Sequence, residues 1–346
     1  MFGLFGKKKA EPHLRKDVEV GEMRVTAGHG LRLLAELDPV FENVVKGTEL
    51  PNLEFTFRGI RISAPFADNV FGLNLLTTVE ECNIHSCTTT DEKAFAYRCI
   101  DRVCFTCAGV RAFFDPVTGA LTIAVQSAGF GEQYRADTLI DVALFMLEEG
   151  VMEARRYLGM PYTEAERPRV NQWMGGFHYG EGFRVYPTST DAFAKFMEKK
   201  YQAQEVSRDE TSILLKSGPV QYDVRFFGWR FGYMVSSATR GFKHAFQNDE
   251  HYVQIQERLA QPTTTQDPIS DLEWNFRDPG RSTIAYFQPD GIFVLGEYGF
   301  GNTDTDQNGK AFDRVAGAQM VNVKFMTYLA ESLPENLYAD EANRPN

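Results

Sequence analysis

This chain of 346 residues has no long apolar run and has fewer basic than acidic residues. No stretch of about 18 consecutive apolar residues is present, so we expect no transmembrane helix. Lysine and arginine total 36 against 47 aspartates and glutamates, which gives a formal net charge of −11. Because binding to a phosphate backbone usually needs a concentrated basic surface, this balance predicts no nucleic-acid partner.

The motifs of the common catalytic machineries are missing as well. The sequence has no nucleophile elbow, Walker loop, dinucleotide-binding fingerprint or HExxH motif. Those motifs position the reactive groups of hydrolases, nucleotide-binding enzymes and zinc proteases. We therefore expect a protein that is not an enzyme and that needs no cofactor.

The chain starts with MFGLFGKKK, which is not the pattern of a secretory signal, since the lysines follow a very short apolar stretch. We therefore expect a cytoplasmic protein. Two interpretations of this segment stay open. It is a frayed tail, or it contacts a membrane surface weakly through Phe2, Leu4, Phe5 and the lysines.

Cysteines occur only between positions 82 and 107: Cys82, Cys87, Cys99, Cys104 and Cys107. An odd number in one cluster argues against a secreted disulfide framework. The spacing of the last three matches only part of an iron–sulfur motif, because no cysteine follows them. One interpretation is reduced thiols packed in the core, three of them on a helix over 92–108. The alternative is a zinc or redox site formed by Cys82, His85 and Cys87.

The second half of the sequence repeats the plan of the first. Residues 110–125 and 283–296 each read as a β-hairpin around a glycine-containing turn. The turn glycines, Gly119 and Gly291, are 172 residues apart, and the Gly-Phe-Gly sequences that start at Gly129 and Gly299 are 170 apart. Two neighbouring features with nearly the same offset indicate a duplication.

The patterns of apolar residues predict the same order of elements in both halves. In the first half, a helix near 31–45 precedes strands at 53–62, 69–79 and 81–88, a helix at 92–108, a hairpin at 110–127 and a helix at 137–158. In the second half, a helix near 192–204 precedes strands at 211–216, 220–227 and 230–237, a helix at 249–260, a hairpin at 283–298 and a helix at 313–330. The predicted fold is α+β, with two tandem α-β-β-β-α-β-β-α domains, each an antiparallel sheet packed with helices. These domains cover 26–160 and 190–333, and a Gly/Pro-rich connector covers 161–189.

Aromatic residues are concentrated in the predicted hairpin near 226–233. Adjacent strand residues face opposite sides of a sheet, so one set is expected in the core and the other exposed or covered. The set that contains Phe227, Trp229, Phe231 and Tyr233 would form a partner-binding surface if it is the exposed one. The alternative is that helices and the other domain cover both faces.

The stretch Asp304-x-Asp306-x-Asn308-Gly309 matches the opening of an EF-hand calcium loop. The twelfth position of such a loop is normally a bidentate glutamate, and here it is Val315. The same residues also fit a polar turn that leads into a helix.

The stretch 94–127, followed by a long helix, resembles the YbjN-like domains, which are similar in fold to class I chaperones of bacterial type III secretion. The matching positions are Val110, Ala112, Asp115, Gly119, Leu121, Ile123 and the helix from Asp137. The resemblance implies a domain without catalytic residues that holds a partner's extended segment against the outside of its sheet. Two fused copies imply an intramolecular pseudo-dimer, or otherwise a homo-oligomer.

The sequence therefore predicts a bacterial protein that binds another protein, as a chaperone-like or regulatory adapter. A metal-binding enzyme or hydrolase that uses the Cys/His cluster at 82–107 is the main alternative. A third possibility is a structural component of a larger assembly.

Overall fold

A computed structural model describes residues 41–46, 52–65, 74–126, 136–160, 190–218, 220–226, 232–264, 273–279, 281–299, 309–334 and 337. These residues form helices and two six-stranded sheets in which every paired strand is antiparallel. The α+β class predicted from the sequence is therefore confirmed.

The first sheet contains β1 (Phe41–Lys46), β2 (Asn52–Phe57), β3 (Ile60–Pro65), β4 (Asn74–Asn83), β5 (Val110–Phe114) and β6 (Ala120–Gln126). Its strand order is β1-β2-β3-β4-β6-β5. Helix α1 (Thr90–Thr106) joins β4 to β5, and α2 (Ala136–Tyr157) follows β6. The hairpin β5–β6 thus pairs with β4 through its second strand.

The second sheet contains β7 (Gln204–Arg208), β8 (Ser212–Ser217), β9 (Val220–Phe226), β10 (Tyr233–Thr239), β13 (Ile284–Phe287) and β14 (Phe293–Gly299). Helix α3 (Thr190–Tyr201) precedes it, and α6 (Gly309–Ser332) follows it. Between β10 and β13 lie α4 (Lys243–Phe246), α5 (Asp249–Leu259) and a small ladder of β11 (Thr263–Thr264) with β12 (Glu273–Trp274). The strand order, β7-β8-β9-β10-β14-β13, matches that of the first sheet.

Each sheet has four strands before its hairpin, and not the predicted three. In the first half, the predicted strand 53–62 is split by a turn at Arg58 and Gly59, which have φ angles of 50° and 79°. Both lie in the left-handed region, as a two-residue turn between twisted strands requires. The segment 41–46, predicted as the end of a helix, is a strand, because it pairs with β2; residues 31–40 of that helix lie outside the described residues.

The described part of the predicted strand 69–79 and the start of the predicted strand 81–88 form the single strand β4, which is followed by a 3₁₀ turn at Ile84–Ser86; residues 69–73 lie outside the described residues. In the second half, the additional strand is β7, whose five residues are all exposed. An exposed edge strand has no alternation of apolar and polar residues, so the sequence pattern did not indicate it.

The predicted hairpins are present as β5–β6 and β13–β14. Their turn glycines have nearly the same backbone conformation, with φ of 72° at Gly119 and 81° at Gly291. A side chain at Gly119 would start 2.5 Å from the ring of His85, so this turn requires glycine.

Helix α1 is well capped and central. Thr89 accepts from the backbone N–H of Glu92, and the Glu92 carboxylate accepts from that of Thr89, which is a capping box. The helix packs against α2, α5, β5 and β13, so it contacts both halves of the chain.

Helix α2 lies unusually close to the first sheet. A Cβ atom at Gly150 would lie 2.7 Å from the side chain of Val110 and 2.8 Å from that of Ile123. Glycine inside a helix costs about 1 kcal/mol relative to alanine. Here its lack of a side chain allows α2 to pack closely on β5 and β6.

The main apolar core is shared by the two halves. It runs without a break from Leu53 and Phe55 in β2 to Phe293 in β14 and Phe325 in α6. A smaller core on the second sheet includes Phe193 of α3. The predicted connector lies outside the described residues, and the parts on either side of it are joined by continuous packing.

Candidate functional site

A groove of about 880 Å³ opens on the second sheet, and we call it the sheet groove. Its lining residues come from the C-terminal end of α1, from β8, β9 and β10, from the β13–β14 hairpin and from α6. Since α1 belongs to the first half, this groove exists only because the two halves pack together.

Strand alternation places polar and apolar side chains together on one open face. Ile213, Val224 and Val235 belong to the small core beside α3. Their neighbours Leu214, Asp223 and Ser236 therefore face the other side of the sheet, where they line the sheet groove. The second sheet thus has one face covered by helices and one that is partly open.

One border of the sheet groove is aromatic. The Phe105 side chain at the end of α1 is 44% exposed, and its ring centre lies 6.3 Å from that of Tyr286. Polar groups lie across the sheet, where Arg225 Nε contacts Asp223 Oδ2 at 2.9 Å. The groove therefore combines apolar contact area with charged and hydrogen-bonding groups.

Tyr233, which the sequence placed on a partner-binding surface, is 1% exposed and belongs to the small core. Its ring lies 5.5 Å from that of Phe193 on α3 and 5.9 Å from that of Phe226. Its strand position puts it on the covered face, which corrects the prediction for this residue. Phe227, Trp229 and Phe231 lie outside the described residues.

The cysteines are mostly core residues. Cys82, Cys99, Cys104 and Cys107 are buried, and Cys87 is half-buried. Burial raises the pKa of the Cys82 thiol to about 11 and also raises the pKa of the Cys87 thiol. Because the thiolate is the reactive and metal-binding form, these environments disfavour nucleophilic chemistry at neutral pH.

His85, in contrast, lies exposed on the 3₁₀ turn, where its ring lies against Gly119. Across the described part of the chain, no three histidine, cysteine, aspartate or glutamate side chains are grouped so that they could hold a metal ion. Of the EF-hand-like stretch, Asp304, Asp306 and Asn308 lie outside the described residues, and Val315 is fully buried.

A buried polar cluster joins the two halves. Asp101 of α1 is 5% exposed and accepts hydrogen bonds from the Tyr252 hydroxyl, from Gln256 Nε2 and from the backbone N–H of Phe287. Arg277 Nη2 lies 3.9 Å from Asp101 Oδ1. Burial raises the pKa of Asp101 to about 6, whereas Arg277 and these hydrogen bonds oppose the shift.

No sequence motif singles out Asp101, but its helical spacing from apolar residues could have indicated that it is buried. It follows Tyr97 by four residues and precedes Cys104 by three, so it lies on the apolar stripe of its own helix. A carboxylate at such a position needs buried donors, and its hydrogen-bond partners lie 151 to 186 residues away in sequence.

Residues 275–279 and 281–283, which we call the crossing segment, lie against the first sheet at β5 and β6. Arg111 on β5 is 1% exposed. Its guanidinium donates to the main-chain carbonyl oxygens of Phe276, Asp278 and Arg281, at 3.3, 2.6 and 2.5 Å. Gln126 Nε2 donates to the carbonyl of Pro279 at 2.7 Å. One half of the protein therefore holds a segment of the other through its main chain.

Comparison with known proteins finds no family model that matches this chain, no similar curated protein and no similar solved structure. None of the described helices is long and apolar enough to cross a membrane.

Proposed function

We propose that this chain is a protein-binding module without catalytic residues, a chaperone-like or regulatory adapter in a bacterial cytoplasm. Its binding site is the sheet groove, and its ligand is an extended segment of a partner protein. The observation that carries the proposal is the groove itself, an open sheet face bordered by the half-exposed Phe105.

The chemistry of the groove suits a peptide. Phe105, Leu214 and Met234 supply apolar area, and a half-exposed aromatic ring is a common anchor of protein interfaces. Gln221, Asp223, Arg225 and Ser236 supply both donors and acceptors, which the N–H and C=O groups of an extended chain require. A groove for a purely apolar ligand would need none of these polar groups.

The first sheet supports the same mode of binding. The hydrogen bonds that Arg111 and Gln126 donate to the crossing segment all go to its main-chain carbonyl groups, four in number. Main-chain recognition tolerates different sequences, as the ligand of a chaperone-like protein would require.

We also propose that the halves are duplicated YbjN-like domains arranged as an intramolecular pseudo-dimer. The identical strand orders, the matching turn glycines and the position of α1 between the halves support a common origin. A covalent pseudo-dimer can lose its symmetry, and here only the second sheet contributes strands to the groove.

Purification of the tagged full-length chain from its source organism, followed by mass spectrometry, tests the proposal. The key variant is Phe105→Asp, which places a charge at the border of the groove. The control is Phe95→Asp, because Phe95 is on the same helix, is 47% exposed and does not line the groove. We expect a near-stoichiometric partner with the wild type and with Phe95→Asp, and its loss with Phe105→Asp.

A photoreactive residue in place of the half-buried Leu214 should then form cross-links to one segment of that partner. The same residue at Val117, which is 84% exposed and does not line the groove, should form none. Retention of the partner by Phe105→Asp would overturn the proposal. A monomer that recovers no partner under any condition would overturn it as well.

A further inference from the structure

Three side chains on the outer side of α1 and two at the end of α2 form one accessible surface, which we call the arginine patch. Phe95, Arg98 and Arg102 are spaced i, i+3 and i+7 along α1, which places them on one side of the helix. Arg156 and Tyr157 belong to the last turn of α2, which packs against α1. None of these five residues lines the sheet groove, so the patch is a separate surface.

A buried carboxylate holds two of the arginines in place. The Glu153 side chain of α2 is 7% exposed, and it accepts from Arg102 Nε at 2.7 Å and, through its other oxygen, from Arg156 Nη2. The side chains of Arg102 and Arg156 are 44% and 61% exposed. Because a guanidinium has five N–H donors, each arginine keeps donors for a ligand while its position is fixed. Side chains that are already fixed lose less conformational freedom on binding.

The patch has more arginines than carboxylates that pair with them. In the described part of the chain, Arg98 pairs with Asp249, whereas Arg102 and Arg156 both pair with Glu153. Three arginines therefore face two carboxylates, which leaves a surplus of one positive charge. One further carboxylate would balance that charge, whereas a phosphate group, with a charge of about −1.5 to −2, would exceed it. The charge balance thus favours a carboxylate as the ligand group.

Helix stability explains only one of these arginines. Arg156 lies in the last turn of α2, where the helix dipole favours a cation. Arg102 lies inside α1, four residues after Arg98, and like charges at this spacing repel each other. An anionic ligand would relieve this repulsion, and no feature of α1 itself requires the pair.

An exposed aromatic pair lies beside the arginines. The Phe95 ring stacks on the Tyr157 ring with centres 4.9 Å apart, and Phe95 is 47% exposed. Burial raises the pKa of Tyr157, whereas the charges of Arg98 and Arg102 lower it, because both arginines lie near its hydroxyl. Aromatic rings and arginines are enriched among the residues that dominate the binding energy of protein interfaces.

We propose that the arginine patch binds an acidic segment of a partner protein. A carboxylate of that segment accepts from Arg102 and Arg156, and an apolar side chain close to it packs on Phe95. Nucleic acid fits less well, since binding to a phosphate backbone rests on several neutralised phosphates and the patch has one surplus charge. The site does not depend on the sheet groove or on the partner proposed for it.

The probe is the peptide acetyl-Gly-Phe-Gly-Glu-Gly-amide, titrated against the full-length chain with ligand-observed NMR. In an extended peptide its phenylalanine and glutamate lie on the same side, about 6.6–6.8 Å apart. We expect saturable binding that weakens about fivefold in Arg102→Gln, which corresponds to about 1 kcal/mol for an accessible ion pair. Replacement of the peptide's glutamate by glutamine should weaken binding to the same extent.

Arg61→Gln is the matched control. Arg61 lies on β3, outside the patch, and it also pairs with a single carboxylate, that of Glu54 at 2.8 Å. The control removes the same charge from the chain, and we expect it to leave the dissociation constant unchanged. Phe95→Asp should abolish peptide binding and retain the partner of the sheet groove, which separates this proposal from the proposed function.

Absence of saturable binding at millimolar peptide would overturn the proposal. Equal affinity for the glutamine peptide, equal losses in Arg102→Gln and Arg61→Gln, or tighter binding of a phosphoserine peptide would each contradict it as well. Oligothymidine, vesicles that contain phosphatidylserine, and a second copy of the chain, detected by analytical ultracentrifugation, test the other occupants. We expect none of them to bind through the patch, and binding of any one that is lost in Arg102→Gln would assign the patch to that occupant instead.

Discussion

Replacement of Gly109 by alanine tests whether the two halves pack as closely as the structure shows. Gly109 has φ of 72°, and a Cβ atom there would lie 2.3 Å from Met146 Cε and 2.7 Å from two ring atoms of Tyr298. Met146 belongs to α2 of the first half and Tyr298 to β14 of the second. The added methyl group would therefore collide with side chains from both halves, at the point where the halves meet.

Two costs contribute to the expected destabilisation. Left-handed backbone geometry in a residue other than glycine costs roughly 1–2 kcal/mol. The end of the Met146 side chain can rotate away, but the Tyr298 ring is fully buried, so overpacking adds about 1–3 kcal/mol. We expect Gly109→Ala to lower the free energy of unfolding by about 2–5 kcal/mol.

Gly59→Ala is the matched control, because Gly59 has φ of 79° and no atom within 4 Å of its built Cβ. It carries the backbone cost alone, roughly 1–2 kcal/mol. Equilibrium unfolding in urea, followed by circular dichroism, measures both variants under the same conditions. Equal destabilisation by the two substitutions would refute the close packing of Met146 and Tyr298 around Gly109.

Two further predictions concern titrating groups. Burial raises the pKa of Glu148 from 4.5 to about 7, although Arg58 Nη1 lies 3.6 Å away. The raised pKa means that this group's stabilisation is complete below about pH 4.5 and is lost as the pH rises through about 7. Glu148→Gln should therefore remove about 3 kcal/mol of pH dependence from urea unfolding between pH 4 and 8, and an unchanged profile would contradict the burial of this carboxyl. Cys87 is half-buried and the other four cysteines are buried, so a disulfide reagent should label one thiol rapidly and four only on unfolding. Cys87→Ser should abolish the rapid phase of labelling. Rapid labelling of two or more thiols would count against this arrangement.

The hairpins, their turn glycines and the helices α1, α2, α5 and α6 were predictable because their signals are local. A glycine at positive φ, a capping residue and a helical spacing of apolar residues each act within one element. The first four strands were harder, since the turn at Arg58 and Gly59 interrupts what reads as one continuous strand. Edge strand β7, with all its residues exposed, has no pattern that predicts it.

The sequence by itself determined the α+β class, the two hairpins with their turn glycines and the apolar face of each main helix. Tertiary structure decided which faces of the helices and sheets pack together. It thereby decided the buried position of Tyr233, the hydrogen-bond donors around Asp101 and the main-chain carbonyls around Arg111. It also decided the sheet groove, because residues from the two halves line it. The physical reason is that turn chemistry and periodicity depend on neighbouring residues, whereas the desolvation of a face depends on what packs against it from far along the chain.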